Sequence, residues 1–149
     1  MMKSVSAWKQ ELSSGAHAAR LAALYCCAPD ETPAQAARYE AVLNGLDATF
    51  GPHAEAGLYS APGRTEIGGN HTDHQHGYGL AAAVMLDLIA VASPSDDGFI
   101  RVKSRGFNKL DVIDLTVGGP QDGESTHSAS LIRGIAEGVR AAGKAVGGF

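Results

Sequence analysis

The residue pattern predicts a mixed α+β fold, an antiparallel-rich sheet with helices packed on one face. Three observations carry this. The first third of the chain places apolar residues one helical turn apart. Strand-like runs begin at Leu58, Leu80, Leu86, Phe99 and Val112, and their short connections suit antiparallel pairing. A last helical stripe follows near the end of the chain.

In order, Val5, Trp8 and Leu12 lie on one helical face, and Gly15 is the expected stop. Ala18, Leu21 and Tyr25 repeat the pattern up to Pro29. Thr32 reads as an N-cap with Pro33 at the first helical position. Tyr39, Leu43, Leu46 and Phe50 form the next stripe, which Gly51-Pro52 breaks. These stripes read as packing faces. A short strand is expected over 58–61, then a glycine-rich polar segment over 62–79. Buried strands are expected over 80–84 and 86–92. A turn at 94–98 leads to 99–103, which alternates as a half-buried strand. In 112–117, Ile113, Leu115 and Val117 face one side, with Asp114 and Thr116 on the other. Leu131, Ile132, Ile135 and Val139 form the final stripe. Gly134 and Gly138 on it would allow close approach to a sheet, and Gly143 is a natural C-cap.

Composition narrows the function classes. The 149 residues suffice for one modest domain, with 44% hydrophobic and 19% charged content. The net charge of −4 leaves no basic footprint for nucleic acid. Adjacent Cys26 and Cys27 would close a strained ring and read as small core or boundary residues in a reducing compartment. Residues 1–10 lack the apolar core of a signal peptide. Residues 80–92 are too short for a helical span and contain Asp87, so no membrane partner is expected and the expected location is cytoplasmic.

The chemistry concentrates in residues 61–77, Ala-Pro-Gly-Arg-Thr-Glu-Ile-Gly-Gly-Asn-His-Thr-Asp-His-Gln-His-Gly. Polar groups this dense between two apolar runs mark a place to build a site. A hexose presents hydroxyls that each donate and accept, so Asp, Asn and His are fitting partners. Other readings stand beside this one. His71, Asp73, His74 and His76 are able metal ligands, but their spacing matches neither His-Glu-x-x-His nor a Cys/His finger. On an extended chain His74 and His76 share one face while His71 and Asp73 share the other, so no metal site is expected. A phosphate loop fits poorly, because the segment lacks both glycine-rich phosphate patterns. A solvated histidine-rich turn without a role is the bland reading.

Pro62-Gly63-Arg64, followed by Gly69-Asn70-His71-Thr72-Asp73, resembles the galactokinase signature, within a superfamily that includes homoserine and mevalonate kinases. Pro-Gly-Arg is shared across that superfamily, and His-Thr-Asp at this spacing is particular to galactokinases. The resemblance extends over most of the chain. It implies the N-terminal part of a two-domain sugar kinase, with residues 1–54 as a helical lead-in and 55–149 as an incomplete sugar-binding domain carrying the signature at 61–77. It implies that Asp73 holds ring hydroxyls of galactose or a related hexose, and that Asn70 and His71 hold another. Arg64 becomes the cation that steadies the transferred phosphoryl group, consistent with phosphoryl transfer being mainly positioning and charge stabilisation. Where many galactokinases have Glu, this chain has Asn70, and where many have Tyr it has His74. His74 and His76 read as surface or supporting residues.

Members of the family continue to a serine-rich phosphate loop at a helix N-terminus and a catalytic aspartate. Neither is in this sequence. Ser128-Ala129-Ser130 precedes a helix but lacks flanking glycines and reads as a cap. ATP and Mg therefore belong to the complete enzyme, and neither is expected to bind this chain tightly. A missing C-terminal kinase portion is the implied partner. The enzyme reading is an inactive N-terminal part of a galactokinase. The alternative is a non-catalytic sugar-binding or vestigial module, or a metal-binding module built on the histidine cluster.

Overall fold

The structure is a computed structural model. It describes residues 1–69 and 72–149, and at Asp73 the backbone alone. The chain forms two compact units, Met1–Ala92 and Ser93–Phe149.

The first unit opens with α1 (Val5–Ser13), where the Ser4 hydroxyl caps the Ala7 N–H at 3.1 Å. α2 (Ala18–Tyr25) ends before Pro29, at Cys26, which takes the left-handed conformation with φ 47°. Cys26 is thus an exposed helix terminus rather than a core residue, while Cys27 packs half-buried against the core. α3 (Thr32–Phe50) buries Tyr39, Leu43 and Leu46, as the stripe predicts. Thr32 is not its N-cap. It is the first helical residue, and its hydroxyl donates to the Pro29 carbonyl at 2.8 Å instead of accepting from the helix. The core joins Trp8, Leu12, Tyr25, Tyr39, Leu43 and Ala56, and the Trp8 indole N–H donates to the Ala56 carbonyl at 2.8 Å. Truncating the fully buried Leu43 to Ala would leave a cavity worth about 2–5 kcal/mol.

Strands β1 (Gly57–Gly68) and β2 (Leu80–Ala92) pair antiparallel as a two-stranded sheet. Two expectations change here. The 58–61 strand runs on through Pro62, Arg64 and Gly68, because β2 supplies a partner along that whole length. The two strands expected over 80–84 and 86–92 are one strand with an irregularity. Pro62 pairs with Asp87 and Gly63 with Val84, so Met85 and Leu86 bulge out opposite the proline, which lacks an N–H for the ladder. β2 is also not buried throughout. Ile89 and Val91 pack against the helical core, but Leu86 and Leu88 on the other side are 82% and 70% exposed. A two-stranded ribbon with helices on one side leaves its other side open.

One charged residue fastens the ribbon to the helices. The Asp87 carboxylate, whose side chain is 5% exposed, accepts from Tyr25 Oη, Ser60 Oγ and Arg38 Nη2, each at 2.6 Å. Tyr25 spends its one proton on Asp87, so Tyr39, 2.8 Å away, must donate to the Tyr25 oxygen. Burial alone would push Asp87 up, but the hydrogen bonds from Ser60, Tyr25 and Arg38 outweigh it and hold the carboxyl below its ordinary value. Burial and the Asp87 bond raise the Tyr25 hydroxyl above its ordinary value.

In the second unit, β3 (Phe99–Lys103) pairs antiparallel with β4 (Leu110–Asp114) in a second two-stranded sheet. β3 buries Ile100, as its alternation predicts. β4 starts and ends earlier than expected, because the Asp114 carboxylate turns back to accept the Thr116 N–H and hydroxyl at 2.8 and 2.7 Å. Ile113 and Leu115 are buried as expected, whereas Val117 is 40% exposed. Phe149 continues the hydrogen bonding along β3, donating to the Phe99 carbonyl and accepting from the Arg101 N–H. α4 (Ser128–Ala141) presents Ala129, Ile132, Arg133 and Ala136 inward, while Leu131 and Ile135 are exposed. The inward face holds Arg133 because its charge is fully met. The guanidinium grips both Glu124 oxygens at 3.0 Å and donates to the carbonyls of Asp114 and Val117. Gly134 and Gly138 approach no sheet, since a Cβ on either would meet nothing within 4 Å. Gly143 does end the helix, with N–H bonds from Gly143 to Arg140 and from Lys144 to Val139. Among the described residues no helix is long and apolar enough to cross a membrane.

Asp87 yields a test. Its lowered value means that its stabilisation is present above the ordinary carboxylate value of about 3.9 and is lost as pH falls through the folded value. Asp87→Asn should cost about 1–3 kcal/mol at pH 7, with the Arg38 arm, 39% exposed, contributing least because water screens it. In denaturant titrations followed by circular dichroism, the gap between wild type and Asp87→Asn should narrow from pH 7 to pH 3. A gap that is absent at pH 7, or that widens in acid, would contradict this role.

Candidate functional site

The ribbon carries the signature segment away from its anchored end. Arg64 lies within β1 rather than on a loop, opposite Ala83, and is exposed. Its neighbours across the ladder, Ala82 and Ala81, face Thr65 and Glu66. Three consecutive alanines on the partner strand leave the space beside Arg64 free of bulky cross-strand side chains.

Beyond Gly68 the chain leaves the ladder and rejoins it at Leu80. The two ends of this excursion almost touch. Gly69 has φ +104°, and a Cβ there would lie 2.3 Å from the Tyr78 carbonyl oxygen. Only a residue without a side chain fits both the torsion and the gap. Inside the excursion Thr72 accepts from the N–H groups of Gln75 and Gly77 through its carbonyl, both at 2.9 Å. Its hydroxyl donates to the Gly69 carbonyl at 2.8 Å. Asp73–Gln75 forms a short 3-10 turn, and His76 follows with φ 60°, a conformation uncommon outside glycine. Among the described residues of the excursion, Gly69, Thr72, Gln75 and Gly77 are thus joined by hydrogen bonds that converge on Thr72.

Of the site residues the sequence singles out, Arg64 sits at the exposed part of β1 and Asp73 opens the 3-10 turn. Asn70 and His71 lie outside the described residues, as does the Asp73 side chain. The metal argument changes in its premise. It rests on an extended chain that puts His74 and His76 on one face, whereas Asp73–Gln75 turns, so that assignment of faces does not hold. Among the described residues no group of three or more His, Cys, Asp or Glu could hold a metal ion, and His71 and the Asp73 side chain are not among them.

The serine-containing start of α4 does not suit a phosphate. Ser128 is not a cap that accepts from the helix. Its hydroxyl donates to the buried carboxylate of Asp111, and Ser130 donates to the His127 carbonyl at 2.8 Å. The Ser128 bond holds the Asp111 carboxyl below its ordinary value against the opposing effect of burial, with Lys109 Nζ 3.4 Å from the other oxygen. The Ser128 hydroxyl is thus committed to a carboxylate and the Ser130 hydroxyl to a carbonyl, so neither is offered outward at the helix start.

Sequence reasoning gives no role to two residues that the structure puts to use, Asp87 and Thr72. Asp87 was legible as a single acid inside an apolar run, a pattern that demands buried partners. Thr72 was visible only as a motif letter, because its work is done through backbone geometry.

Residues 47–94, which take in the end of α3, both strands of the ribbon and the excursion between them, match the galactokinase galactose-binding signature. The chain is 31% identical over 96 residues to a galactokinase of Enterococcus faecalis, covering 64% of this chain and 24% of that protein. It is 34% identical over 74 residues to a galactokinase of Lacticaseibacillus casei, covering 50% and 19%. It is 28% identical over 97 residues to one of Streptococcus suis, covering 65% and 25%. The matched region thus spans about a quarter or less of the length of these relatives. No solved structure matches the chain.

Zinc titrated into the purified chain is expected to show no stoichiometric site by calorimetry, since the spacing of His71, Asp73, His74 and His76 matches no zinc-ligand pattern. One equivalent bound tightly, and lost in the His74→Ala/His76→Ala double variant, would overturn this.

Proposed function

We propose that this chain is the galactose-binding portion of an ATP-dependent galactokinase, with Asp73, Asn70 and His71 as the sugar contacts and Arg64 as the cation near the transferred phosphoryl group. One observation carries the reading. The signature match falls on β1, the excursion and β2, and hydrogen bonds of Thr72 with Gly69, Gln75 and Gly77 tie the described part of this platform together. The ribbon gives that platform a rigid base, which a binding site needs if its groups are to be held in place without an ordering cost at each encounter.

The residues divide by chemistry. A carboxylate at Asp73 accepts from two adjacent sugar hydroxyls, and each such bond is charge-assisted. Asn70 offers a neutral amide oxygen. Arg64, on a strand and not on the excursion, has its backbone fixed by the ladder opposite Ala83, which sets the point from which its guanidinium reaches the reacting group. ATP supplies the phosphoryl group and Mg offsets its charge when both are bound to a complete enzyme. No described residue of this chain is assigned to either, and none is assigned as the base that deprotonates the sugar hydroxyl. Supplied with galactose and ATP, the purified chain should therefore form no galactose 1-phosphate. Product above background that disappears in Arg64→Ala would overturn that statement.

In a protein completed with a galactokinase C-terminal portion, Asp73→Ala should cost more galactose affinity than Asn70→Ala. Charge-assisted bonds are worth about 1.5–3 kcal/mol each, against roughly 0.5–1.5 for a neutral one. Arg64→Ala should lower kcat more than it raises the galactose KM, because its contacts strengthen as charge develops. Steady-state kinetics with galactose varied checks both. A dominant Asn70, or an Arg64→Ala change confined to KM, would show the roles to be misassigned.

A further inference from the structure

We propose that Thr72 is a positioning residue for the sugar site: it locks the excursion between Gly69 and Gly77 so that Asp73 enters its 3-10 turn in one orientation. This rests on the galactose reading above, and it concerns a residue to which that reading gives no role.

The geometry commits Thr72 on two sides. Its carbonyl is a double acceptor, taking the N–H groups of Gln75 and Gly77, both at 2.9 Å. Its hydroxyl reaches back across the segment to the Gly69 carbonyl at 2.8 Å, so its proton is spent within the turn and not offered to a ligand. The two glycines it touches are sterically obliged to be glycines. A Cβ on Gly77 would lie 2.1 Å from Thr72 Oγ1 and 2.5 Å from its Cβ, and one on Gly69 would meet the Tyr78 backbone. Thr72 thus fills the centre of the excursion, with the entering strand behind it at Gly69 and the returning chain against it at Gly77. The residue that follows is Asp73, which begins the turn that Gln75 closes through its bond to Thr72. A shift of Thr72 must therefore re-aim the Asp73 backbone, because Thr72 holds the chain after Asp73 through two backbone bonds and the chain before it through its hydroxyl.

The test uses the full chain as wild type, Thr72→Val, Thr72→Ser and Gly77→Ala. Valine keeps the branched shape and loses the hydroxyl, while serine keeps the hydroxyl. Two quantities are read: hydrogen-exchange rates of the Gln75 and Gly77 amides by NMR, and the dissociation constant for D-galactose. Thr72→Val should speed both amides and weaken galactose about tenfold, the loss expected for one hydrogen bond that orders a site. Thr72→Ser should restore exchange and affinity to within about twofold of wild type. Gly77→Ala should do at least as much damage as valine. The melting temperature should be unchanged in Thr72→Val, since the excursion lies outside the core, so a weaker site cannot be put down to general unfolding. Wild-type exchange rates in Thr72→Val overturn the positioning role whether or not galactose binds. If wild-type chain binds no galactose, the sugar reading fails, and the exchange rates still decide whether Thr72 organises the turn.

Discussion

A carboxylate set into an apolar strand has to be neutralised by its surroundings, and the first unit is arranged around meeting that demand at Asp87. Tyr25 comes from α2, Arg38 from α3 and Ser60 from β1, so a single side chain ties each neighbouring element to β2. Removing one donor would leave the others facing a partly unsatisfied buried acid, which costs more than the bond itself. The network also fixes register. Asp87 stands opposite Pro62, at the point where the ladder is interrupted, so the anchored and projecting parts of the ribbon meet at the same residue pair. The part toward Gly57 packs on the helices through Leu58, Ile89 and Val91. The part toward Gly68 carries Arg64 and leads into the signature excursion.

That division explains an otherwise uncomfortable surface. Met85 and Leu86 bulge from the ladder and, with Leu88, stand open on the side away from the helices. A strand of this composition would ordinarily be covered on both faces. The apolar sequence thus records a demand for burial that the described residues meet only on one side. The same holds for Leu131 and Ile135 on α4, where the inward positions go to Arg133 and small alanines. In both places specific polar partners, Asp87 with its donors and Arg133 with Glu124, decide which face turns inward.

These cases also mark what the sequence could and could not convey. The helices were legible because Trp8, Leu12, Tyr39, Leu43 and Leu46 recur at helical spacing and all become buried. Strand positions were legible from apolar runs, but strand extent was not. Pro62 and the glycines after it read as a loop, and only the pairing with β2 makes them strand, a long-range fact that no local window contains. α4 was placed correctly and oriented wrongly, because periodicity counts Leu131 and Ile135 as core and cannot foresee a fully satisfied buried arginine. At the candidate site the residue types and the signature were plain from the chain itself. What was not plain was that Arg64 rides on a strand while Asp73 opens a hydrogen-bonded turn.

The central claim, that the β1–excursion–β2 segment is a galactose platform, is tested most directly by NMR chemical-shift mapping of the chain titrated with D-galactose. The account predicts saturable shifts confined to Arg64 and residues 68–79, with no change in Ser93–Phe149. An absence of saturable shifts, or shifts centred on the helical lead-in or on the second unit, would contradict it.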